Sequence, residues 1–417
     1  MNTNIGTLLN KIKNDKGITL AAAWSFNQLA YAIVYPFIPL YLSQERQIPY
    51  TTVSLIFPLL GIAVILAPIP CGWMTDKLGR SFMMLFGQLG RAVIFFIMAV
   101  FVIFDAPFWL FALFLMLNTA VGVAFQVGAD AYLADISTVD ERPGYYGKIR
   151  IGFNLGWALG PMLGAFFAKT PFWLFFIITG LLCFAGTFYT KYMCCRKEEN
   201  IVPQIKSSEK QEDFSIISSV LCNCRFMMLM AGTLMLFLLS SQLYSTMSAF
   251  VTQRLGVSRE ALGSIYSLNG FMVLALQLPM VSLFKKLKMP TIIQLILGAA
   301  LYTGGYLLLG FSPGAAAVAA SVAIITFGEI TVQPALYTSI SSETTENNAG
   351  RMLSVYSLVR GIGYAVGPWI GAQIFEATKS GMILWGVLSS FAAAACIIFA
   401  FTKIRIYNNN TIGGTNQ

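Results

Sequence analysis

The chain of 417 residues is 57% hydrophobic and only 11% charged, with a mean hydropathy of +0.70. That balance excludes a water-soluble globule of this size and points to an integral membrane protein. The net charge of +9, from 27 basic and 18 acidic residues, reads as orientation and contact with anionic lipid headgroups; no base-reading module accompanies it, so no nucleic-acid partner is expected.

A helix crossing the hydrocarbon needs about 20 mostly apolar residues. Twelve such runs are predicted, at 17–41, 51–74, 82–104, 107–133, 146–169, 171–192, 226–250, 260–284, 290–311, 313–340, 350–375 and 381–402. The first follows Lys11, Lys13 and Lys16 and exceeds a signal-peptide core, typically about 7–15 apolar residues, so it is predicted to stay attached as a span. Six runs fall on each side of the polar stretch 193–225. The expected fold is all-α: twelve transmembrane helices in two pseudo-symmetric six-helix bundles, 1–192 and 226–417, joined by a cytoplasmic linker, 193–225. Lysines and arginines crowd the loops on the linker's side (Lys77, Arg80, Arg142, Lys148, Lys285, Lys286, Lys288, Arg351, Lys403 and Arg405), against Arg46, Lys169, Arg254, Arg259 and Lys379 opposite. Both termini are therefore expected in the cytoplasm, with the chain in the cell membrane. Cys71, Cys183 and Cys396 fall in or at the ends of spans, and Cys194, Cys195, Cys222 and Cys224 in the linker. In a chain without histidine they read as free thiols rather than a zinc site.

The sequence is written twice. Gly156-Trp157-Ala158-Leu159-Gly160-Pro161-Met162-Leu163-Gly164-Ala165 recurs 207 positions later as Gly363-Tyr364-Ala365-Val366-Gly367-Pro368-Trp369-Ile370-Gly371-Ala372. At an offset of 209, Tyr35 meets Tyr244, Gln44 meets Gln253, Gly61 meets Gly270, Pro70 meets Pro279 and Lys77 meets Lys286. Two related halves enclosing a site near the midplane are a transporter plan.

After the second run, Gly72-Trp73-Met74-Thr75-Asp76-Lys77-Leu78-Gly79-Arg80 resembles the signature loop of the major facilitator superfamily, with Ser81 departing from its last basic position. The corresponding stretch Val281 to Met289 keeps Lys285, Lys286 and Lys288 but neither the aspartate nor the glycines. The resemblance implies a gating loop formed by Gly72, Asp76, Lys77, Gly79 and Arg80, with Asp76 facing the start of span eleven near Gly350 and Arg80 facing Asp135. The motif of Gly156, Gly160, Pro161 and Gly164 is similar to the span-five signature of the family's proton-driven drug antiporters. Its second copy, Gly363, Gly367, Pro368 and Gly371, admits helix packing as the reason for both.

Ionisable groups inside spans are costly and default to functional hypotheses. Glu329 and Arg360 are equidistant from position 344.5 in the loop joining spans ten and eleven, and Asp130 and Arg150 from position 140. Each pair is thus predicted at similar depth in a hairpin. Arg91 in span three could serve Asp130 or Gln126. A sheltered carboxyl beside an arginine has a proton occupancy that responds to conformation, which proton coupling requires. Without histidine, Glu329, Asp130 and Asp135 are the candidate carriers. Gly328-Glu329-Ile330 ahead of Pro334 resembles the stretch of the family's multidrug branch whose embedded glutamate serves proton coupling and cation recognition. The arginine usual in the span-four motif is replaced near Asn118.

Asn118, Gly122, Gln126 and Asp130 recur at i+4 and share a face, as do Asn27, Tyr31 and Tyr35, with Gln28 adjacent. By the resemblance, spans one, four, seven and ten line the cavity, adding Gln242 and Tyr244, and Thr326, Gln333 and Tyr337. Aromatics and amides beside few acids suit bulky apolar or cationic ligands; hydrogen bonding between helices is the alternative use of each. No His triad, metal cluster or Walker loop is present, so neither an enzyme nor a cofactor is expected. The expectation is a monomeric secondary transporter working with protons, membrane lipids and a small-molecule substrate: an exporter of lipophilic or cationic compounds by proton antiport. The alternatives are a permease or effluxer of a defined metabolite, such as a sugar or amino acid, and a lipid flippase.

Overall fold

The computed structural model describes residues 15–138, 141–167, 170–195, 223–343 and 349–413. Most of the predicted linker, with Cys222, lies outside these, as do Lys11, Lys13 and Lys169. Among the described residues every regular element is helical, as a lipid-embedded backbone requires. In chain order the long helices are α1 Lys16–Val34, α2 Ile56–Leu66, α3 Pro68–Leu78, α4 Arg80–Ile103, α5 Phe108–Ile136, α6 Arg142–Phe166 and α7 Phe172–Cys195. They continue with α8 Cys224–Ser240, α9 Arg259–Lys286, α10 Thr291–Gly310, α11 Ala315–Glu343, α12 Ala349–Ala377 and α13 Gly381–Gly413.

Among the described residues, eight helices are long and apolar enough to cross a membrane: α4, α5, α7, α8 with its extension to Arg254, α9, α10, α11 and α13. The second predicted run is not one straight helix; Tyr50–Leu66 and Pro68–Leu78 meet at 42°, where Pro68 opens α3 and cannot donate to the turn before it. α1, α6 and α12 are long but carry polar interruptions: Asn27-Gln28 in α1, Lys148 and Arg150 in α6, and Arg360 in α12. Glycines and prolines of the repeated motif dilute α6 and α12 further. Pro161, Pro279, Pro334 and Pro368 all sit inside helices.

The first run does not stay regular to residue 41. Beyond Val34 the chain tightens over Tyr35–Phe37, then widens over Tyr41–Glu45, where Arg46 N bonds Tyr41 O at 3.1 Å. The same i→i+5 turn recurs at Phe250–Arg254, with Leu255 N on Phe250 O at 3.3 Å. The two wide turns are 209 residues apart, the spacing of the sequence repeat.

The fold divides into two compact units. Unit 1 falls within Met1–Gln47, Ile62–Lys206 and Arg259–Gly270, and unit 2 within Ile48–Gly61, Ser207–Ser258 and Phe271–Gln417. Each unit therefore contains a short segment from the opposite half of the sequence. In unit 1, α1 packs on α6 and α7, and α4 packs on α5 and α7, around a core that includes Leu20, Trp24, Phe125, Tyr132 and Ile149. Cys194, assigned to the linker by sequence, is buried in that core at the end of α7. In unit 2, α10 packs on α11 and α13, and α8 on α12 and α13, with Phe237, Leu295, Tyr306, Leu336, Trp385 and Phe399 buried.

Small residues set the close approaches. A Cβ on Gly156, Gly160 or Gly164 would meet α1 at Leu29, Ala32 or Ile33, and one on Gly363, Gly367 or Gly371 would meet Phe237, Ser241 or Gln242. The neighbouring alanines receive the exchanged segments: Gly270 lies on Ala158 in unit 1, and Gly61 on Ala365 in unit 2.

Candidate functional site

Two polar clusters stand inside the helical layers, one in each unit. In unit 2, α12 carries Tyr356, Arg360 and Tyr364 at i+4 spacing, so the three project from one face. The Tyr364 hydroxyl lies 3.4 Å from Ser240 Oγ of α8 and within electrostatic reach of both Glu329 of α11 and Arg360. Tyr302 of α10 adds a second phenol, reaching Glu329, Tyr364 and Ser240. Tyr337 meets the Tyr356 ring at 5.3 Å between centroids, and both face Arg360. Glu329 is half-buried, while Tyr364 and Arg360 are exposed. A carboxylate thus stands among phenols and a hydroxyl, with an arginine reached through Tyr364.

The other predicted residues of this unit divide by use. Gln242 Nε2 donates to Leu238 O at 2.8 Å and Gly367 O at 2.7 Å, and its Oε1 accepts from Thr246 Oγ1 at 2.7 Å, which ties α8 to α12. Thr326 is buried and donates to Val322 O at 2.7 Å. Gln333 and Tyr244 are half-buried and Tyr337 is 38% exposed. Sequence reasoning passed over Ser240, Tyr302, Tyr356 and Tyr364; the i+4 series on α12 was the available signal, obscured because Tyr364 belongs to the repeated packing motif.

In unit 1 the polar cluster centres on Arg91 of α4, 4% exposed. Its Nη1 donates to Asn27 Oδ1 at 2.6 Å and to Asn27 O at 3.4 Å. Asn27 Nδ2 in turn donates to Gln88 Oε1 at 2.8 Å, and the guanidinium sits over the Tyr31 ring, 4.9 Å from its centroid. These are neutral groups. A buried ion costs several kcal/mol after relaxation. Each hydrogen bond to a charged group returns about 1.5–3 kcal/mol and a desolvated cation–π contact about 2, but none of these contacts brings a counter-charge. Asn118 faces the same region: Gly122, one turn along α5, has the Arg91 guanidinium in van der Waals range of a Cβ built there. Neither amide atom of Asn118, 1% exposed, has a protein partner.

Along α5 the face of Asn118, Gln126 and Asp130 runs from buried through half-buried to exposed. Asp130 lies within electrostatic reach of Tyr146 on α6, and Arg150 is exposed. Tyr31 and Tyr35 stack at 4.8 Å, and Trp157 meets both edge-on at 6.2 and 6.1 Å. Gln28 is buried against Gly156.

At the α3–α4 junction, Gly79 has φ +91°, open to glycine alone, whereas Gly72 has nothing within 4 Å of a built Cβ. Arg80 Nε lies 2.7 Å from Asp135 Oδ2, Lys77 Nζ sits 4.0 Å over the Trp73 ring, and Asp76 is exposed. Among the described residues no group of three or more Cys, Asp or Glu is placed to hold a metal ion.

The Major Facilitator Superfamily model matches residues 20–368. A Bacillus subtilis (strain 168) protein, the uncharacterized MFS-type transporter YqjV, is 23% identical over 394 residues, 92% of each chain. Multidrug resistance protein MdtG of Escherichia coli O9:H4 (strain HS) is 24% identical over 358 residues, 83% of this chain and 84% of its own. A solved POT family transporter in complex with 5-aminolevulinic acid has a TM-score of 0.77 at 14% identity, over 93% of this chain and 96% of that one; the likeness is one of fold.

Proposed function

The chain belongs to the Major Facilitator Superfamily, and from that premise we propose that it exports lipophilic or cationic small molecules by proton-coupled antiport. It is a multi-pass membrane transporter, not an enzyme. In the proposed arrangement twelve helices form two six-helix bundles in the cell membrane, with both termini cytoplasmic and the monomer as the working unit. Access to the site alternates between the two sides as protons move inward and substrate outward.

The observation that carries this reading is the setting of Glu329, a half-buried carboxylate in reach of Tyr302 and Tyr364. Ionised, it attracts a cation, and phenol faces add cation–π contact. Protonated, it loses that attraction and releases the ligand. Arg360, reached through Tyr364, biases the same equilibrium. Similarity to MdtG, a multidrug resistance protein, supports the substrate class. Burial of Arg91 among neutral partners favours a second reading, transport of a defined acidic metabolite, in which the guanidinium receives the substrate's charge.

Purified protein in vesicles separates these. With a proton gradient imposed, fluorescent lipophilic cations are expected to accumulate, an uncoupler to abolish accumulation, and Glu329→Gln to retain substrate exchange while losing the response to the gradient. Gradient-driven transport by Glu329→Gln at the wild-type rate rejects Glu329 as the proton carrier.

A further inference from the structure

We propose that the Arg91 cluster of unit 1 is a binding site for one small monovalent anion, a halide or a carboxylate. The proposal is independent of the part assigned to Glu329. It starts from what the cluster lacks: Arg91 is buried, yet the partners the structure gives it are Asn27, the Tyr31 ring and the Cys183 thiol, with no Asp or Glu among them. A guanidinium out of water without a counter-charge is an anion receptor unless something neutral satisfies it fully.

Nothing neutral does. Arg91 Nε and Gln88 Nε2 on α4, Asn118 Nδ2 on α5 and Thr179 Oγ1 on α7 are all buried without a protein partner. These orphaned N–H and O–H donors lie on three helices, of which α5 and α7 both pack against α4. Gln88 and Arg91 are one turn apart and both bind Asn27. Gly122 brings the Asn118 face of α5 against the guanidinium, and Gly186 brings α7 against Gln88 Nε2. Cys183, within electrostatic reach of Arg91, sits one turn from Thr179. Arginine and amide N–H groups recognise an acceptor of compact charge. The one guanidinium brings a single positive charge, which a monovalent anion balances and a dianionic phosphate monoester exceeds.

The test uses the whole protein, purified in detergent in a bulky sulfonate buffer, sodium 2-(N-morpholino)ethanesulfonate. Sodium chloride or sodium acetate replaces that salt at constant ionic strength while thermal unfolding is followed. A saturable rise in Tm is expected; saturation by chloride alone assigns a halide, and saturation by acetate assigns a carboxylate source. Asn118→Ala is expected to unfold at or above the wild-type temperature before anion is added, because it removes two unsatisfied buried atoms. It should then need roughly tenfold more anion for half the shift, the loss of one hydrogen bond to a charged group. Arg91→Gln should abolish the shift. If neither anion gives a saturable rise, or if the rise is the same in Asn118→Ala as in wild type, the site is filled by water or packing alone and the proposal fails.

Discussion

Asp15 holds the first turn of α1 and the Lys148 ammonium together. Its carboxylate accepts from Gly17 N at 2.8 Å and Ile18 N at 3.1 Å, and Lys148 Nζ donates to it at 2.6 Å. Burial alone pushes the carboxyl up, but the Lys148 bond, the two backbone N–H groups and the nearby positive charge together hold it below its ordinary value of 3.8. A depressed carboxyl contributes stability above its unfolded-state value and loses it as the pH falls through the folded-state value. Asp15→Ala is expected to cost about 0.5–2 kcal/mol at neutral pH, mostly the helix cap. The ion pair adds about 0–1 kcal/mol, since its side chains are 30% and 37% exposed. In thermal unfolding the gap between variant and wild type should close as the pH drops below 3.8; a gap unchanged at pH 3 contradicts the assignment. Residue-scale partners were the least legible part of the sequence. Arg91 is conspicuous there, and Asp130 and Gln126 suggest themselves by charge and polarity. Its contacts are with Asn27 and Tyr31, chosen by how α1 and α4 each pack on α7, and no periodicity carries that information.

At the scale of the helix, one residue type plays two roles. Gly270 lies against the backbone of Ala158, and Gly61 against Ala365, whereas Gly72 meets nothing. Gly270→Val is expected to destabilise the protein by about 1–3 kcal/mol, the usual range for overpacking. Gly72→Ala should stay within about 0.5 kcal/mol. Side-by-side melting curves decide: equal losses at the two positions remove the distinction. The repeated motif carries glycines at four-residue spacing, and Cβ atoms built on them meet α1 in one copy and α8 with its extension in the other. The break between α2 and α3 was also written in the chain, in Pro68 and Pro70. A hydropathy run averages across it, because proline interrupts hydrogen bonding without interrupting apolarity.

The whole chain repeats at 207 and 209 residues, and the wide turns Tyr41–Glu45 and Phe250–Arg254 give that repeat a backbone counterpart. What the repeat did not disclose is the exchange of short segments, since contacts between residues far apart in sequence leave no local pattern. In unit 1, Arg259 Nη1 donates to Glu45 Oε1 at 2.6 Å and Nη2 to Gln44 Oε1 at 3.2 Å, and Gly263 lies on Ala165. Residues 1–195 made alone lack these partners. Coexpressed with residues 223–417 they are expected to copurify as a complex that unfolds at a higher temperature than the first fragment by itself. Independent purification of both fragments with unchanged melting would show that the exchanged segment contributes nothing.

Because Arg259–Gly270 belongs to unit 1, the first-made half cannot be completed in the order in which it leaves the ribosome. At about 5–20 residues per second, roughly three to thirteen seconds of synthesis separate position 206 from position 270. During that interval the faces of Ala158 and Ala165 are uncovered. Those faces stay open until the missing piece is translated, which makes codons far downstream part of the early half's assembly.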